Sequence, residues 1–291
     1  MTSPLERRRN VYTPHKTLPY RVEMYRQLKR KRTLFSYLFV MALPIIVSLA
    51  VKFGTTGNST GPTRFGAGTA DLIGLATKGA ANFTATMFYF ATPFLLIAVV
   101  ALFNGDTVAS EASWSTLRYL LAAPVPRVRL LMQKLKVSLT LSAFGIILLA
   151  VTSFSVGALA FGTAPLQTPL GVTMVNSVAI QRLAIVAGYL AITLLVVAAI
   201  AFYFSVTTDV PLGAVGGAIG IMILSNILDA ITGLGSLRNW LPSHFSFSWF
   251  DALSSQIDWS QMIRGASYAV ILAAILTSIA FMRFAKKDVT S

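Results

Sequence analysis

LAIVAGYLAITLLVVAAIAFYFSVTTDVPLGAVGGAIGIMILSNILD, residues 183–229, decides the class of fold. Two apolar runs, 183–206 and 210–229, are separated only by the short turn Ser205–Asp209. One unbroken helix here would run to about 70 Å at ~1.5 Å per residue, far beyond the ~30 Å hydrocarbon layer of a bilayer. Pro211 lacks a backbone N–H and suits the first turn of a new helix. The stretch is therefore two spans and a turn.

Outward from this pair, four further runs match a bilayer crossing of roughly 17–25 residues, at 34–53, 83–103, 137–161 and 264–282. Their centres are nearly free of charge, where a lone Lys, Arg or Asp would cost ~2.5–3.5 kcal/mol. The expected fold is all-α, a polytopic membrane protein with six transmembrane helices. Composition agrees: 55% of the 291 residues are hydrophobic and 12% charged, against roughly 25% charged in soluble domains. With no cysteine, disulfides, thiolate metal sites and cysteine nucleophiles are excluded. The net charge of +14 gathers near the first run and beside later ones, which fits anionic lipid and not nucleic acid.

Lys and Arg set the expected orientation. Residues 1–33 hold ten, 104–136 five and the tail after Phe281 three, while Lys52, Arg64, Lys78, Arg182, Arg238 and Arg264 fall on the other side. Both termini are expected in the cytoplasm of a plasma-membrane protein. Ser48-Leu49-Ala50 resembles a signal-peptide cleavage site, but 33 residues precede the run, so an uncleaved first span is expected. The organisation read from this is a cytoplasmic segment 1–33, a membrane domain 34–282 and a tail 283–291. Within the domain lie an outer loop 54–80, a cytoplasmic loop 104–136 and an outer aromatic loop 230–263. That last loop carries Trp240, Phe245, Phe247, Trp249, Phe250 and Trp259, so short helices at the membrane boundary are expected.

Two segments beside the spans are amphipathic. LPYRVEMYRQLKRKRT (18–33) puts Leu18, Val22, Tyr25 and Leu28 on one arc, and Glu23, Arg26, Gln27 and Arg30 on the other. This is the pattern of a basic helix lying in the interface; the alternative is a solvated tail. In the 104–136 loop, Asp106 or Thr107 can cap a helix to about Ala122, stopped by Pro124 and Pro126. Trp114, Leu117 and Leu121 share one face, with Glu111 and Arg118 as charges. Spacing alone leaves open whether that helix lies on lipid or docks a partner.

Familiar catalytic and energy-coupling patterns are missing. No H-E-x-x-H, metal-spaced acidic cluster or G-x-S-x-G occurs, and the two histidines, His15 and His244, are far apart. None of the ten acidic residues falls mid-span by these boundaries. Asp229 comes nearest, one turn from Asn226, and reads as a carboxylate at a helix end. A proton-coupled mechanism thus lacks carriers. There is no phosphate-binding G-x-x-x-x-G-K-[ST], so any ATP would be hydrolysed by another polypeptide. Gly213/Gly217 and Gly216/Gly220 form two small-xxx-small pairs that permit close helix packing, within the chain or across a dimer.

GDTVASEASWSTLRYLLAAPVPRVRLLMQKL (105–135) resembles the first cytoplasmic loop of permeases of ABC-2-type transporters. The matching residues are Asp106, Glu111, Thr116-Leu117-Arg118, Leu120-Leu121, Pro124-Val125-Pro126-Arg127 and Lys134; Ser115 stands where a Gly commonly precedes the Thr. The helix before the first span is similar to that family's elbow helix, and RFAKKDVTS (283–291) to its basic-Asp tail. The resemblance implies an exporter permease that dimerises and pairs with two separate ATPase subunits. Mg-ATP would bind those partners, leaving this chain without a cofactor of its own. It also implies that the 106–122 helix, with Asp106, Glu111, Trp114, Thr116, Leu117, Arg118, Leu120, Leu121, Pro124 and Arg127, receives the ATPase stroke. In such permeases the second and fifth spans face the dimer interface. Phe83, Phe88, Tyr89, Phe90 and Phe94, with Asn226, are then candidates for contact with a hydrophobic drug, peptide or lipid, or else for packing. The alternatives are a self-sufficient secondary transporter and a membrane scaffold.

The orientation predicts that single cysteines replacing Tyr25, Arg118 or Lys287 escape an impermeant thiol reagent in intact cells, while those at Arg64 or Trp249 react. Strong outside labelling at position 118 would reverse the topology.

Overall fold

The computed structural model describes residues 19–53, 74–113, 126–168 and 173–286. The helices are α1 (Tyr20–Leu28), α2 (Lys31–Phe53), α3 (Ala80–Ala91), α4 (Leu95–Ser113), α5 (Arg127–Phe161), α6 (Asn176–Thr193), α7 (Leu195–Thr207), α8 (Pro211–Ala230) and α9 (Trp259–Lys286). Six helical stretches are long and apolar enough to cross a membrane: α2, α4, α5, α6 with α7, α8 and α9. The six spans expected are all found, and Pro211 opens α8. One departure from all-α is a small antiparallel pair, β1 (Leu166–Gln167) and β2 (Thr173–Met174), with Leu166 opposite Met174. Buried Asn82 on α3 fixes it, its side chain bonding both the carbonyl and the N–H of Gln167.

The second span is broken. Pro93, with no N–H to continue the helical ladder, sits in the turn 92–94 that separates α3 from α4. Packing then diverges: α3 lies on α5, while α4 packs on α5, α7 and α8. α4 is the central helix, buried at every residue from Phe103 to Glu111. The helices α4 and α8, of the second and fifth spans, pack on each other inside one chain. Gly105 permits their approach, since a Cβ there would lie 3.0–3.3 Å from Val215.

The glycine pairs of α8 fare unevenly. A Cβ on Gly217 would meet the Phe204 ring at 3.3 Å, so this residue packs within the chain. Gly216 and Gly220 have nothing within 4 Å of a built Cβ, and Gly213 only Val210 and Thr208 at 3.8–4.0 Å. Their seam is open in the single chain.

Two expected boundaries need correction. No helix starts at Asp106 or Thr107; α4 enters that region from Leu95 and runs through to Ser113. α5 likewise begins at Arg127, ten residues before the expected edge at 137. At 35 residues α5 is about 52 Å long. The segments 104–113 and 127–136 are helical continuations of the spans. Neighbouring helices satisfy several of their polar groups, among them Asn104, Asp106 and Lys134.

The opposite end carries the aromatic segment. Two 3-10 stretches, Thr232–Trp240 and Ser248–Leu253, supply the expected short helices. Trp240 is exposed, but Trp249 is fully buried, stacked on Phe250 with ring centroids 4.1 Å apart. Arg182 on α6 donates to the carbonyl of Ala252 and Tyr189 to that of Phe245. Gly265 on α9 makes this docking feasible, because a Cβ there would collide with the Tyr189 hydroxyl and lie 2.6 Å from Phe245 Cβ.

The five aromatic residues of the second span do not line one surface. Phe83 and Phe88 are fully buried, Tyr89 and Phe90 half-buried, and Phe94 is 57% exposed. Phe88→Ala should cost about 3 kcal/mol, the lower end for such core truncations, because lipid removes part of the transfer term. Phe94→Ala should cost little. Thermal unfolding of purified protein in detergent checks both, and equal midpoints would contradict the packing described.

Candidate functional site

The end of the bundle formed by α1 and the continuations of α4 and α5 holds a buried ionic cluster. α1 turns its polar arc inward: Glu23 and Gln27 are buried, while Val22, Tyr25 and Leu28 are exposed on the other side. That is the amphipathic division read from residues 18–33, with the apolar arc free to meet lipid. Glu111 comes from α4 and Lys134 from α5, each almost wholly buried.

Arg26 Nη2 donates to Glu111 Oε1 at 2.5 Å and to Glu23 Oε1 at 2.9 Å. Lys134 Nζ lies 2.6 Å from Glu111 Oε1 and 3.6 Å from Glu23 Oε1. Gln27 donates to Glu23 at 3.0 Å. Beside this group, Arg32 pairs with Asp106, and Arg30 reaches Asp106 and Ser110 at 3.5 Å. Three carboxylates thus meet four cations. α1 is bonded to α4 by charge and held near α5 by Lys134; Tyr20 adds a hydroxyl bond to Thr140 at 2.9 Å.

The polarity continues inward along α4 and α5. Lys134 donates to the Thr107 carbonyl at 3.4 Å, Ser138 to Asn104 Oδ1 at 2.7 Å, and Asn104 Nδ2 to Ser142 at 3.0 Å. Ser205 on α7 accepts from the N–H groups of Val108 and Ala109 at 2.9 and 3.0 Å. A void of about 10 Å3 lies against this cluster, room for one water at most. The cluster is a joint, not a ligand pocket. No three His, Asp or Glu side chains among the described residues gather as metal ligands would.

Charge governs the protonation states. Burial alone would raise the Glu23 carboxyl, but Lys134 and Arg26, with hydrogen bonds from Gln27 and Arg26, outweigh it and hold the group below its ordinary value. Arg26 is disfavoured by burial yet pushed up by Glu23 and Glu111. Arg30 is lowered by burial and then by the like charge of Arg26.

Of the residues singled out in the sequence, Asp106 and Glu111 fall in this cluster. Arg127, at the start of α5, instead donates to the carbonyl of Ala285 on α9 at 3.2 Å. Trp114, Thr116, Leu117, Arg118, Leu120, Leu121 and Pro124 lie outside the described residues. Asn226 is half-buried on α8, one turn before Asp229, which pairs with Arg238 and His244. Asp106 and Glu111, placed in a cytoplasmic loop by the sequence boundaries, are buried on the helix α4, which is long and apolar enough to cross a membrane. Glu23, read as part of the polar arc of 18–33, and Lys134, read as part of the loop motif, also fall in the cluster, whereas Asn104 and Ser138 were not singled out. Their signal was the spacing Asn104/Thr107/Glu111 and Lys134/Ser138/Ser142, which puts each trio on one helical face.

Fold and site together define a multi-pass α-helical membrane protein whose amphipathic first helix is fastened to two long spans by buried ions. The chain belongs to the DUF2705 family, described as a protein of unknown function, whose profile matches residues 70–290. No curated protein matches it in sequence.

Glu23 supplies a pH test. Its folded-state pKa lies below that of an unfolded Glu, ~4.3. Its stabilisation is therefore complete above that value and lost as pH falls through the folded-state pKa. The unfolding temperature of wild type should exceed that of Glu23→Gln at neutral pH, with the gap closing below about pH 4. A gap that persists unchanged in acid would refute the charge assignment.

Proposed function

We propose that this chain is the membrane permease of an ATP-driven exporter, moving a hydrophobic or amphipathic cargo outward with energy from separate ATPase subunits. The observation that carries the reading is the ionic joint of α1, α4 and α5, formed on both sides of residues 114–125. That segment holds most of the loop motif resembling ABC-2-type permeases. A partner pressing on it would act on the ends of two spans already fastened together, so a displacement would pass into the bundle and not be absorbed by a loop.

In this reading residues 106–122 are the coupling segment, the joint faces the cytoplasm, and two ATPase chains bind Mg-ATP. A second permease chain completes the transporter, and the open Gly216/Gly220 face of α8 is one surface available to it. Secondary transport gains three buried carboxylates from the structure. Each is occupied by cations, however, and the void against them is only about 10 Å3. Ion-driven transport needs carriers that can load and release.

Affinity purification from native membranes should bring down a phosphate-loop ATPase whose turnover rises on reconstitution with this chain. Arg118→Glu and Leu117→Asp should reduce that association and the transport it drives. Losing one buried charged contact at an interface typically costs ~2–5 kcal/mol, or roughly 30-fold or more in affinity. If both variants keep the ATPase bound and its turnover stimulated, the coupling assignment fails.

A further inference from the structure

At the aromatic end, the region around Trp240 and the first turns of α9 enclose an open recess of about 500 Å3, lined among others by Trp240, His244, Phe245, Gln261, Arg264 and Tyr268. Among the residues lining it, Arg264 is the one Arg, Lys, Asp or Glu. Asp229, at the end of α8, is occupied by Arg238 at 3.3 Å and by His244 Nδ1 at 2.6 Å. Asp258 is engaged at the start of α9, accepting from the Ser260 N–H at 2.8 Å. Arg264 is exposed and makes no ion pair or hydrogen bond with any described residue. The recess therefore presents a spare guanidinium among aromatic rings.

The α9 face that lines the recess does not end with it. Gln261, Arg264, Tyr268, Ile271 and Ile275 recur at spacings of three and four along one side of the helix. Ile271 and Ile275 are 60% and 52% exposed. From the helix end inward the order is amide, guanidinium, an aromatic ring whose hydroxyl donates to the Trp240 carbonyl at 2.6 Å, then two bare aliphatic side chains. A phospholipid has the same order: charged headgroup, interfacial glycerol, acyl chain.

The geometry points to a site for one anionic phospholipid, with its phosphate at Arg264 and an acyl chain along Ile271 and Ile275. Trp240 and Tyr268 flank the glycerol level, where amphipathic rings are favoured. A free phosphate offers the same headgroup chemistry without the chain, so it leaves the isoleucines bare. This site stands whether or not the chain is a permease.

Full-length protein, delipidated in a non-ionic detergent, is titrated with phosphatidylglycerol, with phosphatidylcholine of the same chains, and with sodium phosphate. Bound lipid is counted by native mass spectrometry. One phosphatidylglycerol per chain should be retained over phosphatidylcholine by about fivefold, the effect of one basic residue at an anionic surface. Arg264→Gln should abolish the preference, and Arg264→Lys should keep most of it, since an ammonium still binds phosphate as a point charge. Lys78→Gln, which removes an exposed charge away from the recess, should leave it unchanged. Equal retention of the two lipids, displacement of phosphatidylglycerol by phosphate alone, or a preference that survives Arg264→Gln would each overturn the assignment. Thermal unfolding of each variant verifies that the comparison is between folded proteins.

Discussion

Glu23, Glu111 and Asp106 are carboxylates largely buried among the helices. An uncompensated buried charge costs several kcal/mol, so such groups require cations in contact. Lys134 answers from α5, and Arg26, Arg30 and Arg32 from α1 and the start of α2. This requirement decides how the charged end assembles. α1 must bring its polar arc to α4, which leaves Val22, Tyr25 and Leu28 on the outside. It also lets α4 and α5 remain helical through polar residues that would otherwise end a span. Replacing such a cluster with apolar side chains can be neutral for stability, whereas removing one member is not. The cluster thus specifies an arrangement more than it adds net stability.

The aromatic end is joined by different means. Its contacts are ring stacking and side-chain donors aimed at backbone carbonyls, as with Arg182 to Ala252 and Tyr189 to Phe245. Its ion-paired carboxylate, Asp229, is only partly buried. Between the ends runs α4, packed on three helices and offset from α3 at Pro93. In the transport reading, the ionic end receives force and the bundle transmits it through α4. The broken second span is a place where its two halves can respond differently.

Six spans were legible because each carries a long run without charge, and the turn before Pro211 separates two of them plainly. The two arcs of α1 were legible too, since helical spacing divides Glu23 and Gln27 from Val22 and Tyr25, but not that the polar arc turns inward. The extents of α4 and α5 were not. Bilayer thickness suggested stopping the second span at Phe103 and starting the third at Val137. Asn104, Asp106 and Lys134 look like loop residues until their partners are known. Their partners on other helices are 23 to 111 residues away in sequence, as in Lys134 with Glu111 and with Glu23. The glycine seam was legible only in part for a similar reason. GAVGGAIG announces a close approach, but whether a neighbour exists is decided by the tertiary position of α8.

The claim that buried charge fastens the long spans is tested most directly by a double-mutant cycle on Glu111 and Lys134. Unfolding free energies would be measured for wild type, Glu111→Gln, Lys134→Met and the double variant in one detergent. Close charge pairs give coupling energies of about 1.5 kcal/mol or more in such cycles, and the ionic joint predicts a value in that range, with the double variant more stable than the sum of the single losses implies. A coupling energy indistinguishable from zero would mean that Glu111 and Lys134 do not hold α4 to α5, and the joint as described would not exist.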